Sequence, residues 1–122
     1  MGPLHIAATA KTPEIAYDAE ANRLTLSGRS IPENAVDFYR PLLDWAQGVS
    51  SDTAMVVQIQ LEYFNTSSSK CLLDLFKRLE ASSALEVLWY FDSDDEDMLE
   101  AGEDYDHIVG LPFKFVEVDP EV

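Results

Sequence analysis

The sequence predicts a single α/β domain, spanning residues 1–122, in which a mixed β-sheet is covered by helices. The length of 122 residues fits one domain of ordinary size, and the hydrophobic content of 47% is enough for a core. After an N-terminal hairpin, segments with a strand-like period of two alternate with segments of helical period. The resulting order, ββ-α-β-α-β-α-β, implies parallel strands joined by right-handed crossovers.

The N-terminal part predicts the hairpin. Strands are expected over Pro13–Asp18 and Arg23–Ser27. In the second of these, Leu24 and Leu26 alternate with polar residues, which is typical of a half-buried strand. Residues 4–7 add a short edge strand.

The next segment predicts a helix from Glu33 to Gln47. Ser30 and the residues after it combine a hydroxyl cap, an early proline and an acid in the first turn, which is typical of a helix start. Pro41 falls inside this helix and predicts a kink or a break. Gly48 is a natural stop. The apolar positions that form a broad buried face are Val36, Phe38, Tyr39, Leu42, Leu43, Trp45 and Ala46.

The rest of the chain continues the alternation of strands and helices. An interior strand at 54–63, a helical run at 70–79 and a core strand at 85–91 are followed by an acidic helix from about residue 94 and a last strand at 112–118. The two strands in the middle are rich in branched and aromatic residues, as buried parallel strands are.

Composition excludes several classes of function. The chain has 23 acidic residues against 8 basic ones and a net charge of −15, so its surface repels nucleic acid and anionic lipid. No apolar run approaches a membrane span, and no secretory signal is visible. One cysteine excludes an intramolecular disulfide and a cysteine-cluster metal site. These observations favour a cytoplasmic protein whose partner is another protein.

Four consecutive hydroxyls, Thr66 to Ser69, stand where a strand ends and a helix begins. In one interpretation Asn65 or Thr66 caps the helix and Ser67–Ser69 form its first turn. In the other, the tract is a phosphorylation switch, because a phosphate at a helix N-terminus meets unpaired N–H groups and a partial positive charge. The two roles are compatible, and physical chemistry alone does not rank the four hydroxyls.

Other candidate sites are weaker. The acidic segment 92–106 imitates the ligand spacing of a calcium loop, but Asp97 stands where such a loop needs glycine, so no metal site is expected. Cys71 lies on an apolar helix face and is expected to be a buried, inert thiol. No catalytic motif or cofactor site is found, which predicts a protein that is not an enzyme. Tyr63 or Phe64 could reach the surface as a binding anchor beside the hydroxyl tract.

A resemblance narrows these possibilities. The sequence resembles the SiaC family of bacterial regulatory phosphoproteins over nearly its whole length. The segments that carry the resemblance are Ile31–Asn34, Phe38–Tyr39, Leu43–Trp45, Leu61–Ser68, Trp89–Asp92, Asp94–Glu100 and Pro112–Phe113. It implies a fold like that of anti-sigma-factor antagonists, the STAS-like sandwich, and no enzymatic activity.

The resemblance also implies a switch. Members of the family are phosphorylated on the threonine of the Asn-Thr-Ser-Ser motif, which is Thr66 here. A dedicated kinase and a metal-dependent Ser/Thr phosphatase set its state. In the best-understood systems of the family, the unphosphorylated form binds a diguanylate cyclase and promotes cyclic di-GMP synthesis, which affects biofilm behaviour. Residues expected to support the phosphosite or to contact a partner are Asn65, Ser67, Ser68, Lys70, Tyr63 and Phe64.

The alternative function is an anti-sigma-factor-antagonist-like module. Such a module would use the same switch chemistry at Thr66 but would control transcription through a partner-switching kinase. The identity of the protein that is bound distinguishes the two hypotheses.

Overall fold

The computed structural model describes residues 4–49, 54–81 and 85–119, so the outermost residues of the predicted domain, at 1 and 122, lie outside the described residues. Six strands and three helices follow the predicted order. The strands are β1 (Leu4–Ile6), β2 (Glu14–Asp18), β3 (Arg23–Ser30), β4 (Met55–Phe64), β5 (Leu85–Asp92) and β6 (Phe113–Val118). The helices are α1 (Ala35–Ala46), α2 (Thr66–Leu79) and α3 (Glu96–Ile108).

All six strands form one sheet in the order β1-β2-β3-β4-β5-β6. The first three strands are antiparallel neighbours, whereas β3, β4, β5 and β6 are parallel, so the prediction of a mixed sheet is confirmed. Because the strand order advances steadily in one direction, right-handed crossovers place the three helices on the same face. The sheet and the helices therefore form two layers.

The pattern of burial along the strands agrees with this arrangement. Leu24, Val57 and Val87 lie side by side in the register and are fully buried under the helices. Their sequence neighbours on the opposite face, such as Thr25 and Gln58, are half-buried, and Gln60 and Lys114 on the same face are exposed. The period-two alternation in the sequence thus records a sheet that packs on one side only.

Trp89 of β5 is the centre of the core near the carboxyl ends of the strands. Its side chain is fully buried, and its indole N–H donates to the main-chain carbonyl of Met98 in α3 at 2.9 Å. The rings of Phe64, Tyr105 and Phe113 surround it, with centroid distances between 5.5 and 6.3 Å. Burial and a satisfied donor together fix the orientation of the indole.

The predicted start of α1 is wrong. Ser30 is the last residue of β3 and is fully buried, so it does not cap the helix. Asn34 is the cap instead, since its side chain accepts a hydrogen bond from the N–H of Asp37 at 3.1 Å. The residue before a proline favours extended backbone, so Ile31, which precedes Pro32, is disfavoured in a helix. The helix therefore begins after Pro32.

Two further expectations for α1 are corrected. Of the two alternatives predicted at Pro41, a kink or a break, the break is wrong, because the helix runs through it from Ala35 to Ala46. Pro41 and Asp37 are both exposed, so the carbonyl left without a helical partner faces solvent rather than the core. Val36 was expected on the buried face but is 61% exposed.

The remaining elements lie close to their predicted positions. The first strand is confirmed as a three-residue edge strand, and α3 begins at Glu96 after its cap Asp95. In the described part of the chain, no helix is long and apolar enough to cross a membrane.

The contact between α3 and Trp89 requires a glycine. A Cβ on Gly102 would lie 2.6 Å from two atoms of the Trp89 indole, far inside van der Waals contact. We expect Gly102→Ala to lower the free energy of unfolding by about 2–3 kcal/mol, because the ring is held by its hydrogen bond and cannot move aside. Urea denaturation measures the change.

The matched control is Gly110→Ala, since nothing lies within 4 Å of a Cβ at that position. A loss in Gly102→Ala no larger than in Gly110→Ala would show that the indole moves freely.

Candidate functional site

The hydroxyl tract lies at the carboxyl end of the parallel strands, where β4 leads into α2. A register shift at Gly28, whose φ is +109°, brings Ser30 opposite Phe64 at the ends of β3 and β4. Only glycine adopts this backbone conformation readily. The N–H of Asn65 then donates to the carbonyl of Ser30 at 3.0 Å, which fixes where α2 begins.

Asn65 is the N-cap of α2, as one of the two predicted alternatives. Its side-chain oxygen accepts from the N–H of Ser68 at 2.9 Å and from the hydroxyl of Ser67 at 3.2 Å. Its carbonyl accepts from the N–H of Ser69 at 3.0 Å. Within the described part of the chain, the N–H groups of Thr66 and Ser67 have no hydrogen-bond partner.

The four hydroxyls have different environments. Ser68 is fully buried, and Ser69 is half-buried with its hydroxyl donating to the carbonyl of Thr66 at 2.6 Å. Ser67 is exposed but bonded to the cap. Thr66 is exposed, and among the described residues its hydroxyl has no hydrogen-bond partner. Thr66 is therefore the hydroxyl of the tract that a modifying enzyme can reach without breaking a bond.

A chain of buried hydroxyls runs beneath the tract. The hydroxyls of Tyr39 and Ser30 lie 2.5 Å apart, Ser30 donates to the Ser68 hydroxyl at 2.8 Å, and Ser68 donates to the Ser30 carbonyl at 3.1 Å. Each hydroxyl has one proton, so the first bond must run from Tyr39 to Ser30. Burial, partly offset by these hydrogen bonds, raises the pKa of Tyr39 to about 12, which keeps it a donor at neutral pH.

A second tyrosine reaches the same turn from α3. The hydroxyl of Tyr105 donates to the carbonyl of Ser69 at 2.8 Å, and Tyr105 is only 7% exposed. Burial is the main cause that raises the pKa of Tyr105 above its ordinary value. The first turn of α2 is thus held by directional bonds from β3, α1 and α3.

An apolar groove lies between α2 and α3 beside this turn. Its volume is about 270 Å³, and its lining residues are Phe64, Ser69, Lys70, Leu73, Ala101, Asp104, Tyr105 and Ile108. Ile108 is 54% exposed, as is expected of an apolar residue without a cover. Thr66 precedes Ser69 and Lys70 by three and four residues, so it lies one turn further along the same helix face.

The two aromatic residues at the end of β4 differ in exposure. Tyr63 is 52% exposed, whereas Phe64 is half-buried with its ring 6.1 Å from that of Trp89. Tyr63 is thus the one that reaches the surface next to Asn65 and Thr66, while Phe64 links the groove to the core.

The other predicted candidates are placed elsewhere. Cys71 is 6% exposed, and burial first, then the charge of Asp74, raises the pKa of its thiol. A crevice of about 320 Å³ between the ends of β4 and β5 is rimmed by Glu62, Asp92 and Asp95. In the described ranges, no group of three or more His, Cys, Asp or Glu side chains could hold a metal ion.

Local sequence patterns do not reveal the buried support of the site, which is Ser30, Tyr39 and Tyr105. Ser30 continues the buried alternation of Leu24 and Leu26, and this signal could have assigned it to β3 rather than to a cap. Tyr39 was predicted only as part of an apolar helix face, and Tyr105 lies in a segment predicted only as acidic, because nothing local shows where a tyrosine hydroxyl points.

The fold and this turn define a class: a small α/β protein in which, among the described residues, an exposed threonine hydroxyl without a hydrogen-bond partner lies at a helix N-terminus. The family model described as SiaC family regulatory phosphoprotein matches residues 6–118. The chain therefore belongs to the SiaC family.

Individual relatives agree with this assignment. An uncharacterized protein of Pseudomonas aeruginosa strain UCBPP-PA14 is 31% identical over 119 residues, covering 93% of this chain and 94% of the relative. A chain in the crystal structure of the diguanylate cyclase SiaD in complex with its activator SiaC, from Pseudomonas aeruginosa, matches with a TM-score of 0.85 at 29% identity, over 94% of this chain and 99% of that chain. Apo-SiaC of the same organism matches with a TM-score of 0.83 at 28% identity, over 95% and 99%.

The cap of α2 gives the first prediction for this site. Asn65→Ala removes the acceptor of the Ser68 N–H and should lower the free energy of unfolding by about 1 kcal/mol. Urea denaturation measures the loss, and amide hydrogen exchange locates it at Ser68. Asn34→Ala, which removes the cap of α1, is the control, because it should cost a similar amount without faster exchange at Ser68. Equal exchange in both variants would contradict the cap assignment.

The buried tyrosine gives a second prediction, at high pH. Folding raises the pKa of Tyr39 from 10.0 to about 12, so between these pH values the unfolded chain ionises while the folded chain stays protonated. The contribution of Tyr39 to stability is therefore fully present below pH 10 and is lost as the pH rises from 10 through 12. The whole effect is roughly 3 kcal/mol. Tyr39→Phe should remove this part of the pH dependence of the free energy of unfolding, measured by urea denaturation. An identical pH dependence in both proteins would contradict the prediction.

Proposed function

We propose that this protein is a phosphorylation-controlled binding protein whose switch is Thr66. Its unphosphorylated form binds a diguanylate cyclase and increases cyclic di-GMP synthesis, with effects on biofilm behaviour. A protein kinase and a metal-dependent Ser/Thr phosphatase set the state of Thr66. In this proposal the chain itself is not an enzyme and acts in the cytoplasm.

One observation carries the proposal: of the four hydroxyls, only that of Thr66 is both exposed and without a partner among the described residues. A kinase can reach Thr66 without disturbing the buried bonds of Ser68. Among the described residues the N–H groups of Thr66 and Ser67 are unpaired and can donate hydrogen bonds to the phosphate, so the fold can accommodate the modification.

The groove explains how the same phosphate would hinder a partner. Apolar side chains of Leu73, Ala101 and Ile108 offer a surface that gains free energy when it is covered. A phosphate one turn away adds a charge of about −1.5 to −2, which must be desolvated when a partner covers Thr66. Tyr63, exposed on the other side of Asn65, extends the surface with an aromatic anchor.

The choice of partner rests on the solved relatives. SiaC of Pseudomonas aeruginosa is the activator of the cyclase SiaD in the matched complex, and the matched chain has the same fold over nearly all of this one. A cyclase is therefore favoured over the target of an anti-sigma-factor antagonist.

The test uses the full-length protein with phosphothreonine placed at position 66 during translation. Calorimetry with the diguanylate cyclase of the same host measures its affinity. We expect the phosphorylated protein to bind at least tenfold more weakly, a difference of about 1.4 kcal/mol. Thr66→Ala should bind like the unphosphorylated protein, and cyclic di-GMP production should follow binding.

The matched control places phosphoserine at Ser67, the exposed neighbour one helical position further round α2. Its affinity should change by less than twofold. Equal binding with and without phosphate on Thr66, or native protein from the host with no phosphate at Thr66, contradicts the switch. If an anti-sigma kinase is recovered from the host instead of a cyclase, the proposed cyclase partner is wrong and the kinase is the partner.

A further inference from the structure

The first turn of α2 is held from both flanking helices by tyrosine hydroxyls. Tyr39 of α1 acts through Ser30 and Ser68, and Tyr105 of α3 acts on the carbonyl of Ser69. Tyr105 bonds to this turn directly, whereas Tyr39 bonds to Ser30, which in turn bonds to Ser68. Apolar packing leaves a helix free to rotate or slide by small amounts, whereas hydrogen bonds fix direction and distance.

The bonds reach the turn at complementary points. Ser68 is anchored at the buried side of the turn, beside the end of β3, because its hydroxyl bonds to the hydroxyl and to the main-chain carbonyl of Ser30. Ser69 is anchored one residue later and from the opposite neighbour. Together they set the position of the first turn of α2 and its rotation about the helix axis, and this rotation decides that the side chain of Thr66 faces outward.

We propose that Tyr39 and Tyr105 are positioning residues for the phosphoacceptor: they hold the first turn of α2 so that a phosphate on Thr66 meets the free N–H groups beside it. The proposal rests on the phosphorylation of Thr66 proposed above. Loss of either hydroxyl leaves the ring and its packing in place but loosens the turn. The phosphate then loses part of the stabilisation of its doubly charged form.

The second ionisation of the phosphate reports this contact directly. Donors that favour the dianion lower its pKa below the value of about 6 that is usual for phosphothreonine. Phosphorus NMR of the full chain with phosphothreonine at 66, titrated from pH 4 to 9, measures the pKa, and the same chain in urea gives the reference.

We expect the folded wild type to titrate at least 0.5 pH units below the urea reference. Tyr39→Phe and Tyr105→Phe should each raise the pKa of the phosphate toward the urea reference by at least half of that difference. Tyr17→Phe is the matched control, because the Tyr17 hydroxyl bonds to Asn22 at 2.6 Å, away from α2. In this variant the pKa of the phosphate on Thr66 should equal that in the wild type. Ser68→Ala, which cuts the same link without touching a tyrosine, should behave like Tyr39→Phe.

Amide exchange provides a second measurement that does not require the phosphate. The N–H groups of Ser68 and Ser69 should exchange about tenfold faster in Tyr39→Phe than in Tyr17→Phe, under conditions where both proteins stay folded. The inference is overturned if the phosphate of the folded wild type titrates as in urea, or if both tyrosine variants titrate as the wild type. Because the phosphate is installed during translation, these outcomes are independent of whether the host phosphorylates Thr66.

Discussion

The main-chain carbonyl of Ser30 is the point on which the geometry of the first turn of α2 depends. It accepts the N–H of Asn65 at 3.0 Å and the hydroxyl of Ser68 at 3.1 Å. The first bond completes the pairing of β3 with β4, and the second joins the sheet to α2. A buried carbonyl without partners costs about 1–3 kcal/mol, so the two bonds are retained together. Thr66 lies in the sequence between Asn65 and Ser68, which make these two bonds, and its side chain is exposed.

The topology explains why two other helices also reach this junction. Right-handed crossovers over a steadily advancing strand order place α2 between α1 and α3 on one face of the sheet. The first turn of α2 therefore has a neighbour on each side, and Tyr39 and Tyr105 come from these neighbours. An arrangement with helices on both faces would separate α2 from one of them. The position of the site is in this sense a consequence of the order of elements along the chain.

Local patterns in the sequence predict the elements well but not their junctions. The alternation at 54–63 and the helical spacing at 70–79 identify β4 and α2, because the period reflects burial on one side. Ser30 was misassigned because a hydroxyl before a proline and an acid is locally consistent with a cap. Its true role depends on pairing with Phe64, 34 positions later, and on the register shift at Gly28. The ranking of the four hydroxyls needs the rotation of α2, which distant residues set.

Charge alone does not explain how phosphorylation of Thr66 would control binding. The chain already carries −15, and a phosphate adds only about −1.5 to −2. Salt screens charges beyond about 8 Å at physiological ionic strength, so a partner hardly senses the change in total charge. Refolding of the turn is also costly, since it is bonded to Ser30, Tyr39 and Tyr105. In the proposed switch the phosphate would therefore act where it touches the partner, and the groove one turn from Thr66 is a surface that such a partner could cover.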